Sequence, residues 1–501
     1  MNDLLMHMDM SWMPHPAQLI GLASVLMNMA ATIHVLLKKE NELSAIAWLG
    51  MVWLVPFLGC FLYWAFGINR VRRRARLLRQ GRVNTATETT HTNQSAQASV
   101  TSPPLEIPTD LPARWYGLHR LITHVTGKPL YAGHQCEVLL NGDEAFPAML
   151  NAIDQAQHSV ALATFIFGND IWGQRFVAAL QRAHQRGVAV RVLIDGMGRY
   201  YNVPTIGRLL KRCTFPYAWF LHSFLPWKMG YVNLRNHRKL LIVDSEIGFT
   251  GGLNIRQHHV GSPPRSKDLH FRLQGPVVEQ MSRVFADDWF YTTGEQLEGK
   301  PWQPLGRANE EVPTTADVGN ALVRGIPDGP DENYDHFRWA LLAAVGEAQQ
   351  RLFILSPYFL PDRGLQDALK HAAMRGVEVN ILLPEQNNWP FMRWAANVIL
   401  PGLIEAGCRV FLTPPPFDHS KLMVVDHHWL LVGSGNWDPR SFRLNFEFNV
   451  EIYDVSLALR LAQHCESLMA SAQRLTLRQL HERGLGEKLR DSLVHLWSPY
   501  L

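Results

Sequence analysis

The strongest constraint on this chain is a short pattern of polar residues that occurs twice. In each copy a lysine lies two positions after a histidine, an aspartate lies five positions after the lysine, and the copies begin 182 residues apart. The two copies are His237, Lys239, Asp244 and His419, Lys421, Asp426. Because the same residue types recur at the same spacing, we expect two related halves.

The similarity continues beyond these triplets. An asparagine follows each histidine by 17 positions, Asn254 in GGLNI and Asn436 in GSGNW, and each is preceded by a turn rich in glycine or serine. A single His-x-Lys pair is more often an exposed piece of strand than a functional site. Two copies with matching asparagines argue against that interpretation.

Each triplet is predicted to lie on a buried β-strand, because 240–243 (LLIV) and 422–425 (LMVV) are continuous apolar runs. Side chains alternate along a strand, so the histidine and lysine of one copy would share a face. The aspartates, Asp244 and Asp426, lie an odd number of positions from the histidine and lysine, so their side chains would be on the other face of the strand. Within the candidate catalytic set of six motif residues, we therefore assign them to structural hydrogen bonding.

Two such halves would bring two imidazoles, two ammonium groups and two amides around one volume. Phosphoryl transfer through a covalent intermediate needs a nucleophile, an acid for the leaving oxygen and positive charge at the non-bridging oxygens. Imidazole can serve in either of the first two roles near neutral pH. The predicted phosphate-binding residues are Lys239, Asn254, Lys421 and Asn436.

The wider sequence also repeats. A strand, a helix and a second strand are predicted on either side of Arg186-Gly187-Val188, and the same order recurs around Arg375-Gly376-Val377. Glycine is expected at the end of each helix. This α/β pattern places lobe 1 at about 111–300 and lobe 2 at about 317–501.

The first 82 residues differ in kind. Ala17 to Leu37 and Leu43 to Ile68 lack formal charge and are 21 and 26 residues long, so each is long enough to cross a bilayer as a helix. The charged loop between them is short, which predicts a two-helix transmembrane hairpin. Seven arginines from Arg70 to Arg82 follow the second span and favour a cytoplasmic location for both chain ends.

Residues 83–110 are rich in Thr, Ser, Gln, Asn and Pro and are predicted to form a flexible linker. Beyond residue 82 the chain has 39 basic and 40 acidic residues, so the catalytic body lacks the excess of positive charge expected of a nuclease. We therefore predict no nucleic-acid partner. Five scattered cysteines without a C-x-x-C pair indicate neither a disulfide framework nor a zinc site.

Two aromatic stretches precede the motifs and either belong to the core or form an interfacial rim where acyl chains enter. The pair His258-His259 has no partner at metal-ligand spacing and is expected to be a loop feature without a catalytic role. The aromatic stretches contain Phe215, Tyr217, Trp219, Phe220, Phe224, Trp227 and then Trp389, Pro390, Phe391, Met392, Trp394.

The paired H-x-K-x4-D motifs resemble the phospholipase D superfamily, and the paired N-terminal spans, with the run PFLGCFLYWAFG, resemble those of bacterial cardiolipin synthases. The resemblance implies a duplicated, two-lobed α/β body behind a transmembrane hairpin in the bacterial inner membrane, facing the cytoplasm. It also implies transfer between two phosphatidylglycerols, at a membrane containing anionic lipids, without a metal or other cofactor. A lipid-hydrolysing phospholipase D or phosphodiesterase, and an inactive lipid-binding protein, remain alternatives.

The same resemblance implies roles for individual residues. One histidine becomes a phosphohistidine, and the family indicates His237 for this nucleophile, whereas His419 would act as acid and then base. A carboxylate stands behind each histidine, and the candidates are Asp268 in SKDLHFRL and Glu447 in NFEFNVEI. Each would hold an imidazole in its useful tautomer.

Overall fold

The computed structural model describes residues 16–39, 42–67, 107–201, 204–221, 234–261, 265–302, 319–331 and 333–498. It divides into two compact units, Met1–Arg74 and Ala75–Leu501. The predicted arginine cluster and most of the predicted linker, together with Phe224 and Trp227, lie outside the described residues.

The first unit contains helices α1 (Pro16–Lys38), α2 (Glu42–Leu54) and α3 (Leu58–Leu62), followed by a π-helical turn at Tyr63–Gly67. Among the described residues, one helix, Gln18–Lys38, is long and apolar enough to cross a membrane. The predicted second span is not one continuous helix. Pro56 has no N–H to continue the hydrogen-bond ladder, and Phe57 takes a positive φ of 62°, so the chain bends between α2 and α3.

The predicted duplicated α/β body is confirmed in the second unit. After a short 3-10 turn at Ala113–Trp115, lobe 1 contains α4 (Tyr116–Thr126), β1 (Tyr131–Leu140), α5 (Asn141–Gln155), β2 (Ser159–Thr164), α6 (Ile171–Gln185), β3 (Ala189–Asp195), α7 (Gly207–Leu210), β4 (Tyr217–Phe220), β5 (Arg235–Asn236), β6 (Leu240–Val243), β7 (Ile247–Gly251), β8 (Ser266–Lys267), β9 (Leu269–Gln274) and α8 (Val277–Thr293).

Lobe 2 repeats the order from β1 to β7 and then differs, with a short helix before its last long strand and added elements at its end. Its elements are β10 (Ala321–Asp328), α9 (His336–Glu347), β11 (Arg351–Leu355), α10 (Arg363–Met374), β12 (Glu378–Pro384), α11 (Pro390–Glu405), β13 (Arg409–Thr413), β14 (Phe417–Asp418), β15 (Leu422–Val425), β16 (Trp429–Gly433), α12 (Pro439–Arg443), β17 (Asn445–Tyr453), α13 (Val455–Ser471), β18 (Gln473–Leu475), α14 (Leu477–His481) and α15 (Leu485–Leu496).

The two lobes share one continuous sheet. Its order is β18-β13-β12-β11-β15-β16-β17-β10-β1-β9-β7-β6-β2-β3-β4, so the halves meet where β1 pairs antiparallel with β10. Reading outward from that junction, each lobe has the same strand order, apart from the added edge strand β18. The repeated sequence therefore folds into two similarly connected half-sheets joined edge to edge.

Local sequence explains why the repeated helices begin and end at equivalent places. Asp170 caps α6 and Asp362 caps α10 by accepting backbone N–H groups of the first turn. Gly187 and Gly376 follow these helices with φ of 90° and 92°, a left-handed conformation that glycine adopts without a side-chain clash. The predicted glycine stops are thus confirmed.

The core does not divide at the predicted lobe boundary. Trp115, Leu118 and Ile122, near the start of lobe 1, are buried in one cluster with Phe337 and Leu341 of α9 in lobe 2. Arg114 in the same segment forms an ion pair with Asp426. The residues preceding β1 therefore stabilise the opposite lobe, a contact that the sequence boundary at 111 does not reveal.

Candidate active site

The two motif segments lie at the interface of the lobes. The predicted strands are present as β6 and β15, but each begins after the motif lysine, at Leu240 and Leu422. The histidines instead follow the short strands β5 and β14, which pair in parallel with β17 and β8 of the opposite lobe. Cross-lobe backbone pairing therefore fixes the motif histidines, rather than the long apolar strands alone.

Two backbone hydrogen bonds continue this pairing through the histidines. The N–H of His237 donates to the carbonyl of Phe446 at 2.9 Å, and the N–H of His419 donates to the carbonyl of Lys267 at 2.8 Å. Each bond joins one lobe to the other. The backbone at both imidazoles is consequently fixed before any side-chain contact is considered.

The imidazole of His237 is oriented by Glu447 of lobe 2. Its Nδ1 lies 3.0 and 2.9 Å from the two carboxylate oxygens of this fully buried glutamate. Ser441 Oγ and Asn445 Nδ2 also donate to Glu447, at 2.9 and 3.0 Å. With the Nδ1 proton held by a carboxylate, Nε2 is the basic nitrogen available to a ligand.

The imidazole of His419 is oriented in the same way by Asp268 of lobe 1, with 2.9 Å between Nδ1 and Oδ2. Lys421 Nζ also lies 2.9 Å from this Nδ1. The carboxylate is the acceptor in this group, so we assign the Nδ1 proton to the bond with Asp268. Each lobe therefore supplies the carboxylate that orients the other lobe's histidine.

Burial keeps both histidines neutral. It lowers the pKa of His237 to about 4, although the negative charge of Glu447 opposes this shift. Burial also lowers the pKa of His419 well below its ordinary value, and the positive charges of Lys421 and Lys239 act in the same direction. A neutral imidazole has the free lone pair that nucleophilic attack or proton abstraction requires.

The two motif lysines are buried beside their histidines. Lys239 Nζ donates to the backbone carbonyl of His237 at 2.7 Å, and Lys421 Nζ donates to that of His419. Burial lowers the pKa of Lys239 to about 7 and that of Lys421 to about 8. An anionic ligand would favour the charged form of both ammonium groups, so they suit a phosphodiester.

The two asparagines line the same cavity as the histidines. The Oδ1 atom of Asn254 accepts the backbone N–H of Ile166 at 3.1 Å, which leaves its amide N–H groups as the donors for a ligand. The backbone N–H of Asn436 is bound by Ser441 Oγ at 3.1 Å. The predicted amide positions thus meet the two histidines at one site.

The two motif aspartates do not reach this site, so their place in the catalytic set is corrected. Asp244 accepts the backbone N–H groups of residues 157, 158 and 159 at 2.7 to 2.9 Å. Asp426 accepts those of residues 349, 350 and 351 at 2.8 to 2.9 Å, and also binds Arg114. Both contact sets are structural, as their predicted place on the other face of the strand implies.

A cavity of about 620 Å³ lies at the candidate site. Both histidines and both asparagines line it, together with Trp389, Phe391 and Met392 of the second aromatic stretch. The described part of the first stretch is different, since Phe215 and Phe220 are buried in the core. Of the two stretches, the one that precedes motif two therefore contributes apolar side chains to the cavity.

Sequence reasoning missed several polar residues of the cavity. His258 and His259 form a short loop helix as expected, but both line the cavity, and the His259 ring centroid is 6.5 Å from that of His419. In sequence, His259 lies five residues after Asn254, as Ser441 lies five residues after Asn436. Because His258 and His259 belong to a polar loop, the sequence does not indicate that they line the cavity. The cavity also contains four arginines, Arg235, Arg256, Arg265 and Arg440.

Two protein families match parts of this chain. A family described as "Cardiolipin synthase, PLD-like domain" matches residues 149–289 and 341–469, with one match in each lobe. A second family, described as a phospholipase D–nuclease N-terminal segment, matches residues 26–67.

The sequences of individual relatives match nearly the whole chain. A cardiolipin synthase of Geobacillus kaustophilus is 30% identical over 490 residues, covering 97% of this chain and 95% of the relative. The major cardiolipin synthase of Bacillus subtilis is 29% identical over 495 residues, covering 95% and 98%. The phosphatidylserine synthase of Haemophilus influenzae shares the fold, with a TM-score of 0.58 at 16% identity over 77% of this chain and 100% of that one.

Proposed function

Since the chain belongs to the family of phospholipase D-like cardiolipin synthases, we propose that it is a membrane phosphatidyltransferase that converts two phosphatidylglycerols into cardiolipin and glycerol. The observation that carries this proposal is the pair of neutral, carboxylate-oriented histidines that line one cavity. One phosphodiester is exchanged for another, so the reaction needs no nucleotide.

In the first step, Nε2 of His237 attacks phosphorus of the first lipid. The bond from phosphorus to the glycerol oxygen breaks, and His419 in its protonated form donates a proton to that oxygen. Because His419 is neutral in the empty site, it must bind this proton when the anionic substrate raises its pKa. The products of the step are free glycerol and a phosphatidyl group bonded to His237.

In the second step, His419 removes a proton from a glycerol hydroxyl of the second lipid. The resulting oxygen attacks phosphorus, the bond between phosphorus and His237 breaks, and cardiolipin forms. His419 ends protonated and is ready for the next cycle. Throughout, the charges of Lys239 and Lys421 and the amides of Asn254 and Asn436 stabilise the non-bridging oxygens.

The surroundings of the site favour a lipid over a nucleic acid. The four cavity arginines place positive charge at the phosphate site, whereas the body as a whole is nearly neutral. The aromatic and apolar side chains of Trp389, Phe391 and Met392 supply a surface for acyl chains beside that charge. This combination suits an anionic phospholipid.

The membrane arrangement completes the proposal. Helix α1 provides one span, and we propose that the apolar residues 43–68 form a second, bent span, which makes the N-terminal segment a hairpin in the bacterial inner membrane. The arginines between residues 70 and 82 favour a cytoplasmic catalytic body. A reporter fused after Leu501 should then behave as cytoplasmic, whereas labelling of the body from outside intact cells would contradict this orientation.

The function is tested with purified full-length protein and phosphatidylglycerol as the sole lipid substrate. Cardiolipin and glycerol should form in equal amounts without added nucleotide, and a chelator should leave the rate unchanged. Phosphatidic acid as the main product would instead indicate hydrolysis. Loss of activity in chelator would contradict the metal-free mechanism.

A further inference from the structure

Helix α15 exposes a row of apolar side chains, which we call the leucine stripe and define as Leu485, Leu489, Leu493 and Leu496. These residues are spaced four, four and three positions apart, so they lie on one face of the helix. Between 61 and 75% of each residue's surface is exposed. Single exposed leucines are ordinary, but four on one helical face form an apolar surface.

The inward face of α15 combines an apolar contact, Val494 against the core, with a buried carboxylate. Asp491, on the face opposite the leucine stripe, is only 1% exposed. Its carboxylate accepts from Asn397 Nδ2 of α11 at 2.9 Å, from Arg490 Nη2 at 2.7 Å and from Arg483. A helix that is held inward by both contacts and turns four leucines outward is suited to an apolar partner.

The leucine stripe is linked to the mouth of the active site. Helix α15 packs on α11. The first residues of α11 follow Trp389 and include Phe391 and Met392 of the cavity lining. The Arg490 guanidinium lies 4.2 Å from the ring centroid of Trp394, which joins the two helices. One pair of packed helices thus carries both the cavity rim and the leucine stripe.

The flanks of the stripe identify the partner. At 100° per residue, the exposed Lys488 lies on one side of the leucines and the exposed Trp497 on the other. Leucines that enter the acyl region, a lysine at headgroup level and a tryptophan at the boundary are features of a helix lying in a membrane interface. A protein partner requires no such order.

We propose that the leucine stripe inserts into the headgroup–acyl boundary of a bilayer that contains anionic phospholipid and thereby holds the cavity rim at the lipid surface. This inference rests on the proposed function, because it supplies the route by which a bilayer phospholipid enters the site. A second copy of this chain is the competing occupant, and the test distinguishes the two.

The test uses the full chain at one copy per lipid nanodisc containing phosphatidylglycerol, which removes the second copy. An environment-sensitive fluorophore is attached at Leu489→Cys, and the signal from native cysteines is subtracted with the labelled unmodified protein. Met374→Cys is the matched control, since Met374 is an exposed apolar residue of α10 outside the stripe. Quenching is measured with nitroxide-bearing lipid and with aqueous iodide.

We expect the Leu489 label to be quenched by the lipid nitroxide and protected from iodide, and the Met374 label to show the reverse. A Leu489 label that iodide quenches as strongly as the Met374 label would overturn the proposal. So would protection of Leu489 that is seen only when two copies share a disc, which would assign the stripe to a dimer. Neither readout requires catalysis, so failure of the proposed function would leave this result interpretable.

An activity comparison gives a second measure. The double variant Leu489→Ser/Leu493→Ser should reduce the ratio of the rate on phosphatidylglycerol bilayers to the rate in detergent micelles by roughly tenfold or more, given the loss of buried leucine area. Met374→Ser should leave the ratio unchanged. An unchanged ratio in the double variant would contradict membrane docking, whereas absence of product from every form would contradict the proposed function.

Discussion

Replacing Glu447 by glutamine should slow the first chemical step selectively. The carboxylate receives hydrogen bonds from His237 Nδ1, Ser434 Oγ, Ser441 Oγ and Asn445 Nδ2. Glutamine has a similar size, but it has one acceptor oxygen and presents an NH₂ group to neighbours that are themselves donors. His237 therefore loses the charged acceptor that fixes its tautomer.

The magnitude follows from that bond. A hydrogen bond to a charged group contributes about 1.5–3 kcal/mol. At about 1.4 kcal/mol per factor of ten, its loss slows attack by His237 roughly 10- to 100-fold. The carboxylate also opposes the effect of burial on the His237 pKa, which is about 4, so its removal lowers that pKa further. A less basic imidazole is a weaker nucleophile, and both effects therefore act in the same direction.

The assay uses a phosphatidyl ester whose leaving group needs no proton, so that formation of the phosphohistidine is observed directly as a burst. The matched control is Asp268→Asn, which makes the same change behind His419. It should retain the burst and slow the transfer to the second lipid. Melting temperatures of both variants show whether the fold has been retained.

A burst at the unmodified rate in Glu447→Gln would refute the argument that a cross-lobe carboxylate activates His237. Loss of the burst in Asp268→Asn with a normal burst in Glu447→Gln would show that the two histidines have the reverse roles.

Three further results are expected. His237→Ala should form no phosphatidyl adduct, whereas His419→Ala should accumulate one with the same activated ester; an adduct on His419 in mass spectra of His237→Ala would reverse the assignment. In the free enzyme, kcat/KM should fall as pH rises through about 7 to 8, because Lys239 and then Lys421 lose their protons, and a profile that stays flat to pH 9 would exclude a role for their charge. Asp426→Ala should lower Tm more than Asp244→Ala, since each loses three hydrogen bonds to backbone N–H groups but only Asp426 also binds Arg114; equal shifts would show that this ion pair contributes nothing.

Much of the site was accessible to sequence reasoning because it depends on local rules. The apolar runs at 240–243 and 422–425 identify β6 and β15, and spacing relates the histidines, lysines and asparagines of the two halves. The alternation of side chains along a strand correctly predicted that Asp244 and Asp426 lie outside the cavity. This prediction holds although the histidines and lysines precede the strands, which begin at Leu240 and Leu422.

The remainder depends on contacts between distant parts of the chain. Sequence spacing cannot show that Asp268 serves His419 and Glu447 serves His237, because this depends on how the lobes pair across β1 and β10. The packing of Trp115 in the core of lobe 2 has the same origin. For the second apolar run, charge and length predicted a continuous span, but Pro56 interrupts its backbone hydrogen bonds.

The crossed carboxylates give the duplicated chain a freedom that a symmetric dimer lacks. In a site formed between identical subunits, any substitution occurs on both sides at once. Here one half has a short carboxylate, Asp268, packed so closely to Gly252 that a side chain there would collide, and the other has Glu447, bound by Ser434 at the equivalent position. Covalent fusion therefore allows the carboxylate of each half to differ to suit the histidine of the other half, while neither half alone holds a complete histidine–carboxylate pair.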